Sequence, residues 1–365
     1  ELIDGFADDP QWINSMLKIK ERYRDHKEPV ILIGCGDGYA ELISKHKDEL
    51  SDVFVCPYID FDLLKRLNKK ESFYEICDQY NLPYPKTKVI TKEMWASDEP
   101  IEQPFDYPVA LKPSNSVEWV DIHFDGRKKA YRVKSRPELD EILQKAYTNG
   151  YESDFILQDF IPGDDSNMRV LNAYVDQNHH VKMMCLGHPL LEDPSPSAIG
   201  NYVAILPEYN KDIYQRFQKF LEDIKFTGYA NFDMKYDSRD NTYKLFEINL
   251  RQGRSSFFVT LNGYNLAQWV VRDYVTKDLA DAETVYGNKD ANKHQLWLGV
   301  PVKVFKKYAR QNGDKERALD LIDHKRYGMT YRYDKDMNIK RWALLKWMEH
   351  IYTKNFNRYF KENKG

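Results

Sequence analysis

The stretch GYANFDMKYDSRDNTYKLFEINLRQGRSS, residues 228–256, decides the fold. Two runs with strand-like alternation, ANFDMKY and KLFEIN, flank the polar turn sequence DSRDN. Such runs around a short polar turn predict an antiparallel hairpin. Because side chains alternate along a strand, Glu247 and Asn249 point to the same face. The hairpin then brings Asp233, on the other strand, close to both of them.

This predicted cluster has the ligands of a magnesium site. Two carboxylates on one sheet face repel each other unless a cation lies between them. Hard oxygen ligands such as Asp233, Glu247 and Asn249 suit Mg²⁺, which also takes phosphate oxygens. Arg251 and Arg254 follow directly, so cationic groups flank the acidic cluster. We therefore expect metal, phosphate and carboxylate to meet here. The alternative is an exposed hairpin face with incidental salt bridges.

Two further segments have the composition of a nucleotide site. Lys112 ends the strand-like part of ALKPSNS, where a lysine beside a loop of small donors can hold a phosphate. The segment QDFIPGDD, residues 158–165, can offer its backbone to a purine edge and an acidic side chain to ribose hydroxyls. Taken alone, Lys112 and Lys70 are ordinary surface lysines, and residues 158–165 are a β-turn.

The N-terminal part opens like a parallel α/β unit. PVILIGCGDGYAELISKHKDEL, residues 29–50, predicts a short strand, a glycine turn and an amphipathic helix. The turn GCGDG lacks the GxGxxG spacing, so it indicates a tight turn rather than a nucleotide fingerprint. The prolines of LPYP, residues 82–85, mark a lobe boundary. A strand near His123 and one helix over residues 257–275 are also expected.

Length and composition exclude several protein classes. A chain of 365 residues predicts two or three lobes, and 42% apolar with 30% charged residues is typical of a globular protein. No apolar run approaches the length of a spanning helix, and the N-terminus does not have the pattern of a signal peptide. Four cysteines without a CxxC pair indicate reduced thiols in a cytoplasmic protein and no zinc site.

Positive charge is concentrated at the C-terminal end. Residues 301–365 contain 17 Lys/Arg and 8 Asp/Glu, although the whole chain has a net charge of −3. The predicted helix over residues 341–360 has an apolar face at three- and four-residue spacing, made of Leu345, Met348, Tyr352, Phe356 and Tyr359. This face predicts docking on the catalytic lobe. The alternative is peripheral contact with an anionic membrane on the cytoplasmic side, or with the phosphates of a nucleotide-linked precursor. No nucleic-acid partner is expected, because the rest of the chain is acidic and has no nucleic-acid motif.

The order of these motifs resembles the ATP-grasp superfamily. Lys70, LPYP, Lys112 in ALKPS, QDFIPGDD, Asp233 and EINLR follow one another as in that superfamily. The ending FEINLRQGRSS is similar to a segment of carbamoyl phosphate synthetase. The resemblance spans residues 30–275. It implies an α/β ATP-grasp fold in which two lobes clasp ATP. A Rossmann-like domain would occupy residues 1–88, a central lobe 89–162, and a C-terminal lobe with a basic extension 163–365.

The resemblance also implies roles for individual residues. The nucleotide contacts would be Lys70 and Lys112 with the loop residues Ser114 and Ser116 for the ATP phosphates, Gln158 for the adenine amino group, Phe160 and Ile161 for the adenine ring, and Asp165 for the ribose. The Mg²⁺ ligands would be Asp233, Glu247 and Asn249. Arg251 matches the arginine that stabilises an acyl phosphate, and Arg254 is a second candidate. The chain departs from the pattern in having no glycine after Lys112 and Gln instead of Glu at position 158.

Within the superfamily, the chain is most similar to the carboxylate–amine ligases. The patterns GHPLLEDPSPSAIGNYVAI, YRYDKD and KRWALLKW resemble the D-aspartate ligases of peptidoglycan synthesis. That resemblance implies an ADP-forming enzyme that joins D-aspartate, through an acyl phosphate, to the lysine side chain of a cell-wall precursor. The alternatives are another ATP-grasp amide ligase and a nucleotide-binding regulatory protein without catalysis. His188 is a base or positioning group for the amine, or else a structural histidine.

Overall fold

Three β-sheets organise the part of the chain that the structure describes. The computed structural model describes residues 5–97, 101–115 and 118–364, and the side chains of residues 70, 71 and 362–364 lie outside that description. The elements are given below sheet by sheet, in chain order.

The N-terminal sheet consists of two parallel strands. Its elements are α1 (Asp9–Tyr23), β1 (Val30–Ile31), α2 (Asp37–Lys45), α3 (Lys47–Leu50) and β2 (Phe54–Val55), followed by α4 (Phe61–Asn68) and α5 (Lys70–Gln79). The predicted strand, glycine turn and helix over residues 29–50 are confirmed, although the paired part of the strand is short.

The central sheet is antiparallel, with strand order β3-β6-β4-β5. Its elements are β3 (Thr87–Ile90), α6 (Lys92–Ala96), β4 (Val109–Pro113), α7 (Glu118–Asp121), β5 (Tyr131–Val133), α8 (Arg136–Thr148) and β6 (Phe155–Asp159). The expected strand near His123 is wrong. The short helix α7 precedes that position instead, because Trp119 inserts into the core and its indole N–H donates to the carbonyl of Lys128, 2.9 Å away.

The largest sheet has the order β11-β10-β7-β8-β9-β13-β14, with β12 beside β8. Its elements are β7 (Met168–Val175), β8 (Val181–Glu192), β9 (Tyr202–Glu208), α9 (Lys211–Asp223), β10 (Gly228–Asp237), β11 (Thr242–Asn249), α10 (Phe257–Leu261), α11 (Leu266–Val271), β12 (Val285–Tyr286), β13 (Leu296–Leu298), α12 (Val302–Tyr308), α13 (Gly313–Asp323), β14 (Tyr327–Gly328) and α14 (Ile339–Lys364). The single helix expected over residues 257–275 is wrong. Gly263 adopts a left-handed conformation at φ +94°, and Asn265 caps a new helix by accepting from the amide of Ala267.

Helix α9 shows how the sequence builds the main core. Asn210 caps its first turn by accepting from the amides of Asp212 and Ile213. Its buried face then places Phe217 against Phe232 of β10, with ring centroids 4.6 Å apart. Helices α4 and α5 join this same core, so the N-terminal segment packs directly on the largest sheet. The predicted boundary at residue 88 lies inside β3, and the division into domains stays a prediction.

The C-terminal helix α14 packs on the largest sheet through the face predicted from its sequence. Phe356 is fully buried, and Tyr352 and Phe360 pack against the same cluster. The opposite face exposes Ile339 and Trp347, at 86% and 61% of their surface. Within the described residues, no helix is long and apolar enough to cross a bilayer.

Gly228 joins the N-terminal segment to the largest sheet. It has φ +87°, and a Cβ atom at this position would lie 1.9 Å from the carbonyl oxygen of Pro57. Gly263 has a similar φ of +94°, but a Cβ atom added there would have no other atom within 4 Å. We expect Gly228→Ala to lower stability more than Gly263→Ala. In both variants, alanine must adopt a left-handed backbone conformation, which costs about 1–2 kcal/mol of stability. At Gly228 alone, steric overlap of the new Cβ atom with the Pro57 carbonyl adds about 1–3 kcal/mol. Urea denaturation of both variants measures the difference, and equal losses would contradict the close approach.

Candidate active site

The β10–β11 hairpin places the predicted metal ligands together. Asp233 pairs directly with Glu247, and Asn231 pairs with Asn249, so the four side chains share one face. The amide nitrogen of Asn249 donates to Asp233 Oδ2 at 3.2 Å and to Asn231 Oδ1 at 3.1 Å. The sequence therefore predicted the neighbours correctly, because strand alternation and a short turn are local features.

The electrostatics of this face favour a bound cation. Burial, and then the nearby charge of Glu247, raise the pKa of Asp233 to about 7. Tyr202 Oη donates to Asp233 Oδ1 at 3.0 Å, and burial raises the pKa of Tyr202 well above its ordinary value. Among described residues, no cluster of three or more His, Cys, Asp or Glu side chains could hold a metal. The carboxylates of Asp233 and Glu247 with the amide oxygen of Asn249 nevertheless fit Mg²⁺, since a cation would relieve their repulsion.

A ladder of side-chain amides links this face to the neighbouring strand β7. Asn231 donates to Asn172 Oδ1 at 3.4 Å, and Ser256 Oγ donates to the same oxygen at 2.6 Å. The amide of Gly253 in turn donates to Ser256 Oγ at 2.7 Å. These contacts tie the segment after β11 to β7 and β10. Sequence reasoning missed Asn172 and Asn231, although polar residues inside apolar strand patterns were a usable signal.

Arg251 and Arg254 lie on the segment that the ladder holds. Arg251 Nη2 donates to Asp37 Oδ2 at 2.7 Å and to Asn249 Oδ1 at 3.4 Å. Arg254 Nη2 donates to Tyr352 Oη of α14 at 3.0 Å. Both arginines line a cavity of about 440 Å³, whose other wall is the N-terminal glycine turn. Positive charge thus lies directly beside the predicted metal ligands, at a cavity that a small acid could enter.

The predicted phosphate contacts are described in part. Lys112 lies near the end of β4, opposite Ile156 of β6, and the amide of Ser114 donates to the carbonyl of Asp154 at 2.9 Å. Ser116 lies outside the described residues. Lys70 is the first residue of α5, and its side chain also lies outside the description.

The predicted adenine contacts surround the end of β6. Gln158 is buried and uses its amide nitrogen to donate to Thr87 at 2.8 Å and to Tyr74 at 3.2 Å. Its carbonyl oxygen is the atom able to accept from an amino group. Asp165 Oδ2 accepts from the amide of Glu192 at 2.9 Å.

Sequence reasoning missed Lys235 and Arg239, which hold the connector, residues 159–163 at the end of β6, against the β10–β11 hairpin. Lys235 donates to the carbonyls of Ile161 and Gly163, each at 2.9 Å, and its ammonium lies 5.2 Å from the Phe160 ring centroid. Arg239 bridges Asp159 of β6 and the hairpin carboxylate at position 237. A cavity of about 470 Å³ lies beside this connection, lined by Phe160 and Arg239, but the predicted metal and phosphate ligands do not line it.

His188 is held by protein groups on both sides of its ring. Nε2 lies 2.6 Å from the carbonyl of Ser166, and Nδ1 lies 3.2 Å from Glu208. Burial opposes ionisation of Glu208, but hydrogen bonding to His188 and the charge of Arg169 still lower its pKa. Because both nitrogens are occupied and the ring is 3% exposed, the geometry favours the structural interpretation of His188.

Comparison with known proteins identifies the family. The chain is 58% identical over 368 residues to the D-aspartate ligase of Enterococcus faecium (strain Aus0004), covering 100% of this chain and 87% of that protein. The chain belongs to the D-aspartate ligase family. No family model matches it.

Solved structures agree on the fold of this D-aspartate ligase family member. The ADP complex of N5-carboxyaminoimidazole ribonucleotide synthetase superposes with a TM-score of 0.56 at 12% identity, over 89% of this chain and 86% of that chain. Biotin carboxylase from Campylobacter jejuni gives a TM-score of 0.52 at 12% identity, over 80% and 62%. The predicted α/β ATP-grasp fold is confirmed.

The raised pKa of Asp233 predicts a pH-dependent stability of the metal-free protein. In the unfolded chain an aspartate loses its proton near pH 3.9, whereas in the folded protein Asp233 holds it to about pH 7. The folded state therefore binds more protons between these values, so stability falls as pH rises from about 4 to about 7 and levels off above that. We expect Asp233→Asn to remove this fall, measured as Tm in EDTA at each pH.

The matched control is Asp62→Asn, whose side chain is 92% exposed in its pair with Lys65. It should leave the fall in Tm unchanged, because the pKa of Asp62 is lowered rather than raised. Mg²⁺ should stabilise the wild-type protein more at pH 8 than at pH 6, since binding requires the ionised carboxylate. An unaltered slope in Asp233→Asn would show that another group titrates.

Proposed function

We propose that this protein is an ATP-dependent ligase that joins the β-carboxylate of D-aspartate to an amine, releasing ADP and phosphate. The observation that carries the proposal is the paired carboxylates of Asp233 and Glu247 beside the guanidinium of Arg251. The relationship to the D-aspartate ligase of E. faecium supports the choice of acid. The amine is the lysine side chain of a cell-wall precursor, as the family resemblance implies, and the reaction takes place in the cytoplasm.

The chemistry requires activation of the acid. A carboxylate is a poor electrophile toward an amine, and transfer of the γ-phosphoryl group of ATP converts it to an acyl phosphate. Asp233, Glu247 and Asn249 would hold Mg²⁺, which supplies charge neutralisation for the transferred phosphoryl group. Arg251 stabilises the negative charge that develops on the acyl phosphate, and Arg254 orients the acid.

The remaining residues bind the nucleotide. Their proposed roles follow the family pattern: Lys70, Lys112, Ser114 and Ser116 bind the phosphates, Gln158, Phe160 and Ile161 bind adenine, and Asp165 binds the ribose. The buried position of Gln158 supports its role, because a buried amide oxygen discriminates strongly between ligands with and without a donor. The carbonyl of Ile161 accepts from Lys235, which fixes the backbone that faces adenine.

ADP release screened over D- and L-amino acids tests the proposal, with a peptide carrying a free lysine side chain as amine. We expect turnover with D-aspartate and little with the L enantiomer or with other amino acids. Turnover with a different acid alone would favour another ATP-grasp amide ligase. No turnover with any acid, despite ATP binding, would favour a regulatory nucleotide-binding protein.

Two substitutions assign the roles in that assay. Glu247→Gln should reduce ADP release by at least about 100-fold without unfolding, because it removes a charged ligand of the metal. Arg251→Ala should retain ATP binding and lose amide product. Wild-type ADP release by Glu247→Gln would refute the metal site, and wild-type product formation by Arg251→Ala would refute the acyl-phosphate role.

The exposed face of α14 and the segment before it form a surface that suits an anionic membrane. Seven of the twelve exposed large apolar side chains among the described residues lie here: Tyr331, Tyr333, Met337, Ile339, Trp342, Leu344 and Trp347. Residues 331–361 also contain 8 Lys/Arg and 3 Asp/Glu, a net charge of 8 − 3 = +5. Tryptophan and tyrosine beside basic residues favour the boundary between lipid headgroups and acyl chains, so the occupant we propose is an anionic bilayer surface.

Vesicle sedimentation tests the membrane contact. The full chain should bind anionic vesicles, more weakly at high salt, and less to zwitterionic ones. The double variant Trp342→Ser/Trp347→Ser should bind about tenfold or more weakly, because each buried large apolar side chain contributes about 1.5–3 kcal/mol. Val120→Ser, at an apolar side chain that is 63% exposed elsewhere, is the control and should bind normally. A dimer that the double variant abolishes, without vesicle binding, would make a second copy the occupant.

A further inference from the structure

The cavity beside Arg251 joins the N-terminal sheet to the active site. One wall is the turn at residues 33–36 before α2, and the other is the segment 251–254 after β11. Its volume of about 440 Å³ lies in the range of small-molecule sites, roughly 300–1,000 Å³. The glycine turn, which the sequence indicates only as a tight turn, therefore faces the predicted catalytic arginines.

The two glycines of this turn have different functions. A Cβ atom on Gly34 would lie 2.7 Å from the backbone nitrogen of Ala40, so this position admits glycine alone. Its amide donates to Tyr58 Oη at 2.7 Å, which anchors the turn to the N-terminal core. A Cβ atom added to Gly36 would have no other atom within 4 Å, and its backbone is extended at φ −166°. Glycine is therefore not required here for packing, but a side chain at this position would reduce the open space of the cavity.

Two positive charges line the cavity, and one negative charge lies directly beside it. Asp37, directly after the turn, accepts from Arg251 Nη2 at 2.7 Å, and its side chain is 70% exposed. Arg251 is mostly enclosed, with 17% of its side chain exposed, and Arg254 is held by Tyr352. Two positive groups thus line a space next to Asn249, and the negative group that pairs with Arg251 directly follows the lining residue Gly36. An amino acid with two carboxylates and one ammonium group has the complementary set of charges.

We propose that Asp37 binds the ammonium group of the amino-acid substrate, while Arg254 binds its α-carboxylate and Arg251 receives the carboxylate that reacts. This inference rests on the proposed function and adds the residue that recognises the amino group. Three protein charges contact three different substituents on the α-carbon of the substrate. The opposite enantiomer therefore cannot make all three contacts at once. Asp37 is then the specificity-determining residue that distinguishes an amino acid from a simple dicarboxylic acid.

Steady-state kinetics of Asp37→Asn test the proposal. We expect the KM for D-aspartate to rise about 10- to 100-fold, as for loss of one charge-assisted contact, with the KM for ATP unchanged. Succinate, which is D-aspartate without its amino group, should inhibit wild type and Asp37→Asn with the same inhibition constant. If Asp37 only positions Arg251, the constants for D-aspartate and succinate will rise by the same factor, and the proposal is overturned.

Two further variants keep the test independent of the succinate measurement. Asp37→Glu retains the charge and should recover most of the affinity for D-aspartate. Gly36→Val adds bulk where the cavity is open and should abolish the use of D-aspartate while ATP still shifts the Tm. Wild-type kcat/KM for D-aspartate in Gly36→Val would overturn the location. A wild-type protein inactive with D-aspartate would instead contradict the proposed function itself.

Discussion

The repulsion between Asp233 and Glu247 is the constraint on which the site depends. The register of β10 and β11 places these carboxylates directly opposite each other, and burial makes their simultaneous ionisation unfavourable. The cost is tolerated because both strands belong to the largest sheet, whose other face buries Phe232 against α9. Packing on one side of the sheet thus holds in place two charges that would otherwise separate. The proposed Mg²⁺ would relieve this repulsion, so the repulsion itself would favour binding of the cation.

The N-terminal segment completes the site, although it contributes a separate sheet. Gly228 allows the backbone of Pro57 to approach the start of β10, and α4 and α5 share the core beneath the hairpin. That contact fixes the glycine turn relative to the segment after β11, so Asp37 can reach Arg251. Arg251, the proposed catalytic arginine, therefore has one neighbour in α2 of the N-terminal segment and another in β11 of the largest sheet. A change in the packing between these sheets would alter the charges around the cavity as well as the stability.

Sequence alone predicted what depends on local pattern. The hairpin, the proximity of Asp233, Glu247 and Asn249 on one face, and the turn before α2 follow from alternation and turn residues over short stretches. Asparagines inside apolar strand patterns could have marked Asn172 and Asn231 as candidates, but their contact requires β7 beside β10, and no local signal gives that pairing. Lys235 and Arg239 were missed for the same reason, because their partners are about 70 to 80 positions away. The exposed apolar face of α14, which includes Trp342 and Trp347, was missed. The three- and four-residue spacing on this helix indicates the face that packs on the largest sheet, and it drew attention away from the exposed side chains.

The contacts of the connector differ in how easily they can be exchanged. Arg239 is 47% exposed, and an ion pair at such a position contributes only about 0–1 kcal/mol, so its link to Asp159 can open at low cost. Lys235 is 9% exposed and its ammonium is enclosed by two carbonyls and an aromatic ring. Separating it from those carbonyls would leave a buried charge without compensation, which is far more costly. A movement that separates residues 161–163 from the hairpin is therefore opposed mainly by the Lys235 contacts, and the exposed pair between Arg239 and Asp159 resists it much less.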